Sequence, residues 1–324
     1  MKAAVYTRYG PPDVLEITDV PKPVPNDNEV LVRIHATTVC AADWRMRKAD
    51  PFIIRFMNGL WRPKLKILGA EFAGTVESVG KAVTRFKAGD EVFGSNGFKF
   101  GGHAEYVCLA EDGLLAPKPA NMTHDEAAAV LFGGISALHF LRNAKVQAGQ
   151  KVLVYGASGS VGVFAVQLAK HFGADVTGVC STGNVDMVKS LGADAVVDYT
   201  KQDFSSAGRV YDIILDTVGK SGFSRSMKAL KRGGYYVLIG GSGRLADIFS
   251  DLVRGLWASI TGRAKVRLGV ARAVPADLSL LKGLIEAGKL RTVIERRYSL
   301  DEIAAAHRHA EGGHKKGHVV ILLP

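Results

Sequence analysis

Between Lys151 and Gly162 the chain passes from an apolar run into a glycine turn and directly into a helix start, residue types suited to holding a diphosphate. In Gly156-Ala157-Ser158-Gly159-Ser160-Val161-Gly162, three small residues, Ala157, Gly159 and Gly162, stand at the spacing of a dinucleotide cradle. The first makes the tight turn. Gly159 has no Cβ and lets an anion reach the backbone, and Gly162 lets the following helix pack closely on its strand. The helix start adds free N–H groups and a partial positive charge, which brings Ser158, Ser160 and Val161 into the same anion site.

A second polar cluster follows the next apolar run, Asp175 to Cys180. Sites selective for NAD carry an Asp or Glu there to accept from the ribose 2′-OH, and that acid would repel a 2′-phosphate. This chain has Ser181-Thr182-Gly183-Asn184 instead. The hydroxyls of Ser181 and Thr182 and the Asn184 amide can donate to phosphate oxygens, so the loop favours NADPH over NADH. No Arg or Lys stands in it, and a charge-assisted bond is about twice as strong as a neutral one, so the expected preference is modest.

The elements around these residues repeat a strand and helix rhythm. Val161, Val163, Phe164, Val166, Leu168 and Ala169 predict a helix that ends at Phe172-Gly173. Strand-like runs at 151–155, 175–180, 194–198, 211–216, 234–239 and 265–270 predict an α/β domain with a Rossmann doubly wound parallel sheet over residues 122–270. Residues 1–121 have another texture. Short β-branched runs such as Ala3 to Thr7, Val30 to His35, Gly74 to Val79 and Glu105 to Leu109 alternate with Pro- and Gly-rich turns, which describes a mostly antiparallel β domain. Residues 271–324 read as a helix over 276–287, a strand near Val293, a helix over 300–311 and a strand over 318–323, and are expected to return to the first domain.

Composition narrows the classes of function. A length of 324 residues with 47% hydrophobic side chains suits about two domains with real cores. No charged leader with an apolar core opens the sequence and no run of about 18 apolar residues occurs, so the expected compartment is the cytoplasm. Cys40, Cys108 and Cys180 are too scattered for a disulfide framework. The net charge of +11 is spread along the chain, without the basic runs of a nucleic-acid binder, and reads as a solvated surface. His307 and His309 are two apart on an expected helix and do not share a face, so with His314 and His318 they read as packing or surface residues and not as a metal site.

Two apolar stretches stand at near-helical spacing: Phe52, Ile53, Phe56, Met57, Leu60 and Trp61, and Leu245, Ile248, Phe249, Leu252, Val253, Leu256, Trp257 and Ile260. Core packing is the favoured reading of the second. An acceptor pocket, a homodimer contact and, with Arg55, Arg62, Lys64 and Lys66 beside the first, contact with a membrane surface stay open, the last disfavoured.

At this level the chain resembles the medium-chain dehydrogenase/reductase superfamily, and within it the zinc-free quinone oxidoreductase branch. The carriers are Gly69-Ala70-Glu71-Phe72-Ala73-Gly74-Thr75-Val76-Glu77-Ser78-Val79-Gly80, Gly89-Asp90-Glu91-Val92-Phe93-Gly94, Ala104-Glu105-Tyr106-Val107 and the cradle. Leu191-Gly192-Ala193-Asp194 and Asp212 to Gly219 extend the match to nearly the whole length. The resemblance implies a GroES-like mostly antiparallel β catalytic domain and a Rossmann domain, with the active site in the cleft between them. It assigns Ser136, Val218, Gly240 and Gly241 to the nicotinamide end and Tyr199 to the adenosine; Cys40 is expected as a small pocket-lining residue, and Trp44 and Trp61, beside and within the first apolar stretch, are candidates for the same pocket. Asp43 falls at an acidic position beside that pocket, either as a catalytic group ordering water and donors or as a cap on backbone N–H groups.

Zinc relatives in the superfamily bind a catalytic metal through a cysteine, a histidine and a second cysteine, positions that here are Cys40, Ala70 and Phe132. One thiolate does not hold the ion, since such sites use three protein ligands, so no metal is expected. The serine that relays protons is replaced by Ala42. Without a Lewis acid the suited acceptor is conjugated, because hydride addition to a quinone or an α,β-unsaturated carbonyl spreads the charge onto an enolate or hydroquinone oxygen. The expectation is a zinc-independent NADPH-dependent oxidoreductase of such small molecules. The alternatives are an NADPH-binding structural or regulatory protein without efficient turnover, and an alcohol or aldehyde oxidoreductase.

Overall fold

The computed structural model describes residues 1–239, 245–313 and 315–324, with side chains of 245–252 outside the description. Gly240 and Gly241, expected at the nicotinamide, and His314 therefore lie outside the described residues. In chain order the first strands are β1 (Lys2–Val5), β2 (Glu16–Asp19) and β3 (Glu29–Thr38), followed by helices α1 (Ala41–Lys48) and α2 (Ile54–Asn58). Strands β4 (Glu71–Val79), β5 (Glu91–Ser95), β6 (Tyr106–Ala110) and β7 (Leu114–Pro117) come next, then helices α3 (His124–Ala128) and α4 (Leu131–Asn143). The alternating part is β8 (Lys151–Tyr155), α5 (Ser160–His171), β9 (Asp175–Cys180), α6 (Val185–Ser190), β10 (Ala195–Asp198), β11 (Tyr211–Asp216), α7 (Phe223–Ala229), β12 (Leu230–Leu238), α8 (Leu245–Ile260) and β13 (Ala264–Leu268). The chain closes with α9 (Pro275–Glu286), β14 (Ile294–Ser299), α10 (Ile303–Glu311) and β15 (His318–Leu322).

These elements form two compact units, Met1–Phe132 with Ala273–Pro324, and Gly133–Arg272. In the second unit six parallel strands lie in the order β10-β9-β8-β11-β12-β13, the doubly wound sheet of a Rossmann fold. Its central strands have buried apolar middles, as a parallel sheet covered on both faces requires, with Leu153, Val179 and Ile214 at 0% exposure. The expected strand bounds of this sheet hold to within one residue except at two places. β12 begins at Leu230, before the expected Gly234, and β13 ends at Leu268, short of Val270.

The first unit is the GroES-like fold. Its larger sheet runs β14-β15-β3-β4-β5-β7, with β6 also on β3, and every pair in it is antiparallel except β14 with β15. The C-terminal strand is what closes it, since β15 lies between β14 and β3 with Val320 opposite Thr38. Tyr6, Ile34, Leu68, Phe72 and Val319 centre its core. The stretch expected as an amphipathic helix over 52–61 is helical only at 54–58, ending at Gly59 with φ +109. No helix among the described residues is long and apolar enough to cross a membrane.

Candidate active site

The cradle forms where β8 gives way to α5. Gly156 takes φ +81, and its N–H and that of Ala157 both donate to the carbonyl of Val179 at 3.0 Å, locking the turn to β9. Gly162 lies against this turn so closely that a Cβ there would stand 2.1 Å from the Gly156 carbonyl oxygen. Gly159 differs. The nearest atom to a Cβ there is 3.5 Å away, so the turn is open on the side where an anion would approach. Gly159 is also the N-cap of α5, and no side chain caps that helix start, the end at which a helix attracts an anion.

Other expected cofactor residues gather around the cradle. The Asn184 amide donates to Ser158 Oγ at 3.1 Å and to Ser181 Oγ at 3.2 Å, tying the second loop to the first. Asn184 Oδ1 is buried and has no partner among the described residues, an acceptor a sugar hydroxyl would satisfy. Val218 packs over Gly156, where a Cβ would meet its Cγ2 at 2.3 Å. Ser136, 8% exposed, lies one turn along α4 from Gly133, whose close approach to the Ser160 carbonyl fixes α4 against α5. Tyr199, 47% exposed, lines a cavity of about 270 Å³ with Tyr155, Phe204, Lys201 and Arg225, and Tyr155 meets Phe204 edge-to-face at 5.6 Å.

One residue of this site was not anticipated. The Thr182 hydroxyl, expected to donate outward, donates to Asp198 Oδ2 at 2.6 Å, and Thr200 donates to Oδ1 through its N–H at 3.0 Å and its hydroxyl at 2.7 Å. Those bonds hold the Asp198 carboxyl below the usual carboxylate range. The available signal was position, since Asp198 ends a parallel strand at the edge where such sheets bind ligands.

In the first unit, Asp43 is fully buried and both its oxygens are taken by backbone donors, Cys40 N at 2.7 Å and Gly69 N at 2.9 Å. Of the two roles weighed for it, this is the geometry of the cap. It fastens the start of α1 to the Gly69-Ala70-Glu71 turn, where Gly69 takes φ +93. Cys40 is buried, and burial pushes its thiol well up, reinforced by the charges of Asp43 and Glu71. Trp44 is half-buried against the same core cluster as Cys40, together with Ala42 and Phe132. Trp61 stands apart from that cluster, 83% exposed.

Beside Cys40 are two charged groups that sequence reasoning missed. Glu71 is 1% exposed, accepting from Thr38 Oγ1 at 2.5 Å and from Phe132 N at 2.6 Å, and burial lifts its carboxyl to about 7 against those bonds. Burial also draws the Lys315 ammonium down to about 8, while Cys40 and Glu71 favour its charge and Gly317 O accepts from it at 2.6 Å. No local pattern could reveal this meeting of residues from β4 and the last turn before β15. His307 is fully buried, its ring edge-to-face with His103 at 5.4 Å, and burial holds it well below its usual value. His309 faces the other way, 2.7 Å from Glu295.

At the three positions that the resemblance assigns to a metal stand a buried thiol at Cys40, a methyl at Ala70 and a ring at Phe132, one sulfur donor where such sites use three protein ligands. Among the described residues no group of three or more His, Cys, Asp or Glu side chains is placed to hold a metal.

A diphosphate cradle on a doubly wound parallel sheet, in a chain that also folds a GroES-like unit, defines a dinucleotide-binding oxidoreductase architecture. Residues 26–120 match the family model described as alcohol dehydrogenase GroES-like domain, and residues 191–321 match the one described as zinc-binding dehydrogenase. The chain is 33% identical to the 2-methylene-furan-3-one reductase of Solanum lycopersicum, over 99% of this chain and 79% of the relative. It is 30% identical to the chloroplastic NADPH-dependent alkenal/one oxidoreductase of Arabidopsis thaliana, again over 99% of this chain and 79% of the relative. The structure of the quinone oxidoreductase from Coxiella burnetii superposes with a TM-score of 0.88 at 30% identity, covering 100% of this chain and 99% of that one. The chain belongs to the medium-chain dehydrogenase/reductase superfamily.

Proposed function

We propose that the chain is an oxidoreductase that binds NADPH and, without zinc, reduces quinones or α,β-unsaturated carbonyls. Gly133–Arg272 serves as the nucleotide domain and the other unit as the catalytic domain. The open side of Gly159 and the first-turn N–H groups of α5 would hold the diphosphate. Ser181 and Asn184, with its unsatisfied Oδ1, would hold the ribose, and the aromatic cavity of Tyr155, Tyr199 and Phe204 would take the adenine by stacking. Ser136, Val218, Gly240 and Gly241 are assigned to the nicotinamide end. Bound there, a reduced nicotinamide supplies hydride. Arg225 and Lys201 bring positive charge to the cavity, but Asp198 behind Thr182 keeps the preference for NADPH modest.

The observation that carries the acceptor class is the replacement of two of three metal-binding side chains by Ala70 and Phe132, beside a Cys40 thiol that burial keeps neutral. No fixed cation of that kind is left to hold an alkoxide, so the reaction suits acceptors that spread the charge by conjugation. Cys40, Trp44 and Phe132 supply apolar walls that exclude water, and Asp43 acts as a positioning residue by fixing Cys40 to Gly69. The similarity to a 2-methylene-furan-3-one reductase, an NADPH-dependent alkenal/one oxidoreductase and a quinone oxidoreductase supports this reading. The test is the rate of NADPH oxidation against quinones, enones, simple aldehydes and alcohols. Turnover of the first two classes well above the others is expected, whereas tight nucleotide binding with turnover of none would favour a binding protein.

A further inference from the structure

Around α2 the usual placing of polar and apolar side chains is reversed. Asn58 is 1% exposed, while Phe56 is 72%, Met57 69% and Trp61 83% exposed, with Phe52, Ile53 and Leu60 also outward. This outward set is held in shape from below. Asn58 Nδ2 donates to the Tyr6 hydroxyl at 2.9 Å, its Oδ1 accepts Leu65 N at 2.9 Å, and its carbonyl accepts Lys64 N at 2.6 Å. The Tyr9 hydroxyl donates to Gly59 O at 2.8 Å, and Arg55 lies over the Tyr9 ring at 4.8 Å while donating to Leu60 O at 3.2 Å. A polar underside therefore fixes an apolar outer surface, and a contiguous exposed apolar patch marks an interaction site.

Charge selects the partner. Between Trp44 and Ala70 the chain has seven Arg and Lys against one acid, Asp50, and of these Arg47 is buried and paired with Glu311, so the charge offered outward is that of the segment's later cations. Arg62, Lys64 and Lys66 are exposed, and none has a carboxylate partner among the described residues. Outward Phe, Ile, Leu and Trp side chains framed by uncompensated cations are the composition of a segment that lies in a lipid interface. A second copy of the chain fits less well. Each copy carries a net charge of +11, and a face-to-face contact would set these cations against one another.

We propose that residues 52–66 form a docking surface for an anionic lipid bilayer, the apolar side chains entering the headgroup boundary and Arg62, Lys64 and Lys66 meeting lipid phosphates. The surface is independent of which acceptor the enzyme reduces, so vesicle binding tests it without any turnover. The full chain should float with phosphatidylcholine vesicles that contain phosphatidylglycerol, less so as salt is raised, and not with phosphatidylcholine alone. Each cation near such a surface contributes about fivefold in affinity, so Lys64→Gln should lose about that much and Arg62→Gln with Lys64→Gln on the order of 20-fold. Phe56→Ser with Met57→Ser, at exposed positions where the fold loses no core, should weaken binding by about tenfold or more. The proposal is overturned if the wild-type chain does not float with anionic vesicles, or if both variant sets bind as tightly as wild type. Sedimentation showing a dimer in wild type and a monomer in the Phe56→Ser, Met57→Ser variant would also overturn it, by showing that a second copy covers the patch.

Discussion

The Thr182 hydroxyl donates to the Asp198 carboxylate at 2.6 Å, so the loop that lacks an acid in sequence has one directly behind it in space. A 2′-phosphate held at Thr182 would face that charge, whereas a ribose 2′-hydroxyl would not. Asp198→Asn keeps an acceptor for Thr182 and removes the charge. It should raise the ratio of NADPH to NADH affinity by about tenfold. Binding titrations of both cofactors to wild type and variant check this, and an unchanged ratio would show that Asp198 is not felt at the 2′ position.

Asp43 satisfies two buried backbone donors, Cys40 N and Gly69 N, and Asp43→Ala leaves both unpaired. A buried donor left without a partner costs about 1–3 kcal/mol, so the variant should be less stable by roughly 2–5 kcal/mol. Asp43→Asn keeps one acceptor and should lose less. Denaturant unfolding midpoints give the comparison, and equal midpoints for wild type and the alanine variant would remove the capping role.

Glu71 makes stability depend on pH with a definite sign. Its carboxyl is raised to about 7 in the fold from an ordinary value of 4.5, so the folded chain binds more protons than the unfolded one between those values. Stability from this group is therefore full at pH below about 4.5 and is lost as pH rises toward 7. In Glu71→Gln that loss should vanish, so wild type should fall relative to the variant by up to about 3 kcal/mol between pH 5 and 7.5. Unfolding midpoints across that range provide the check. Parallel curves for the two proteins would mean the carboxyl titrates normally.

The purified protein should carry no stoichiometric zinc and should keep its activity in strong chelators, because Ala70 and Phe132 bring no donors to Cys40. Elemental analysis with activity measured before and after chelation settles the point. One zinc per chain, with activity lost on its removal, would contradict the assignment.

The cradle was legible because everything it needs is contiguous: a strand, a turn at Gly156, an open Gly159, a close-packed Gly162 and a helix follow within one stretch. The parallel sheet was legible for a related reason, its strands being short apolar runs at regular spacing. Asp198 behind Thr182, and Glu71 beside Lys315, were not, because tertiary folding alone brings together residues that share no local period. The segment 52–61 misled in a different way. Near-helical spacing shows that apolar residues share a side, but it does not say whether that side faces the core. Here Asn58 took the inward position through its bonds to Tyr6 and Leu65, and the apolar side chains were turned outward.

The central claim is that hydride goes to the conjugated carbon of an acceptor whose charge no metal holds. Identifying the product formed from an α,β-unsaturated ketone with NADPH tests it most directly. The account predicts the saturated ketone, formed much faster than any product of an isolated aldehyde of similar size. An allylic alcohol in its place would place hydride on the carbonyl carbon and contradict the account.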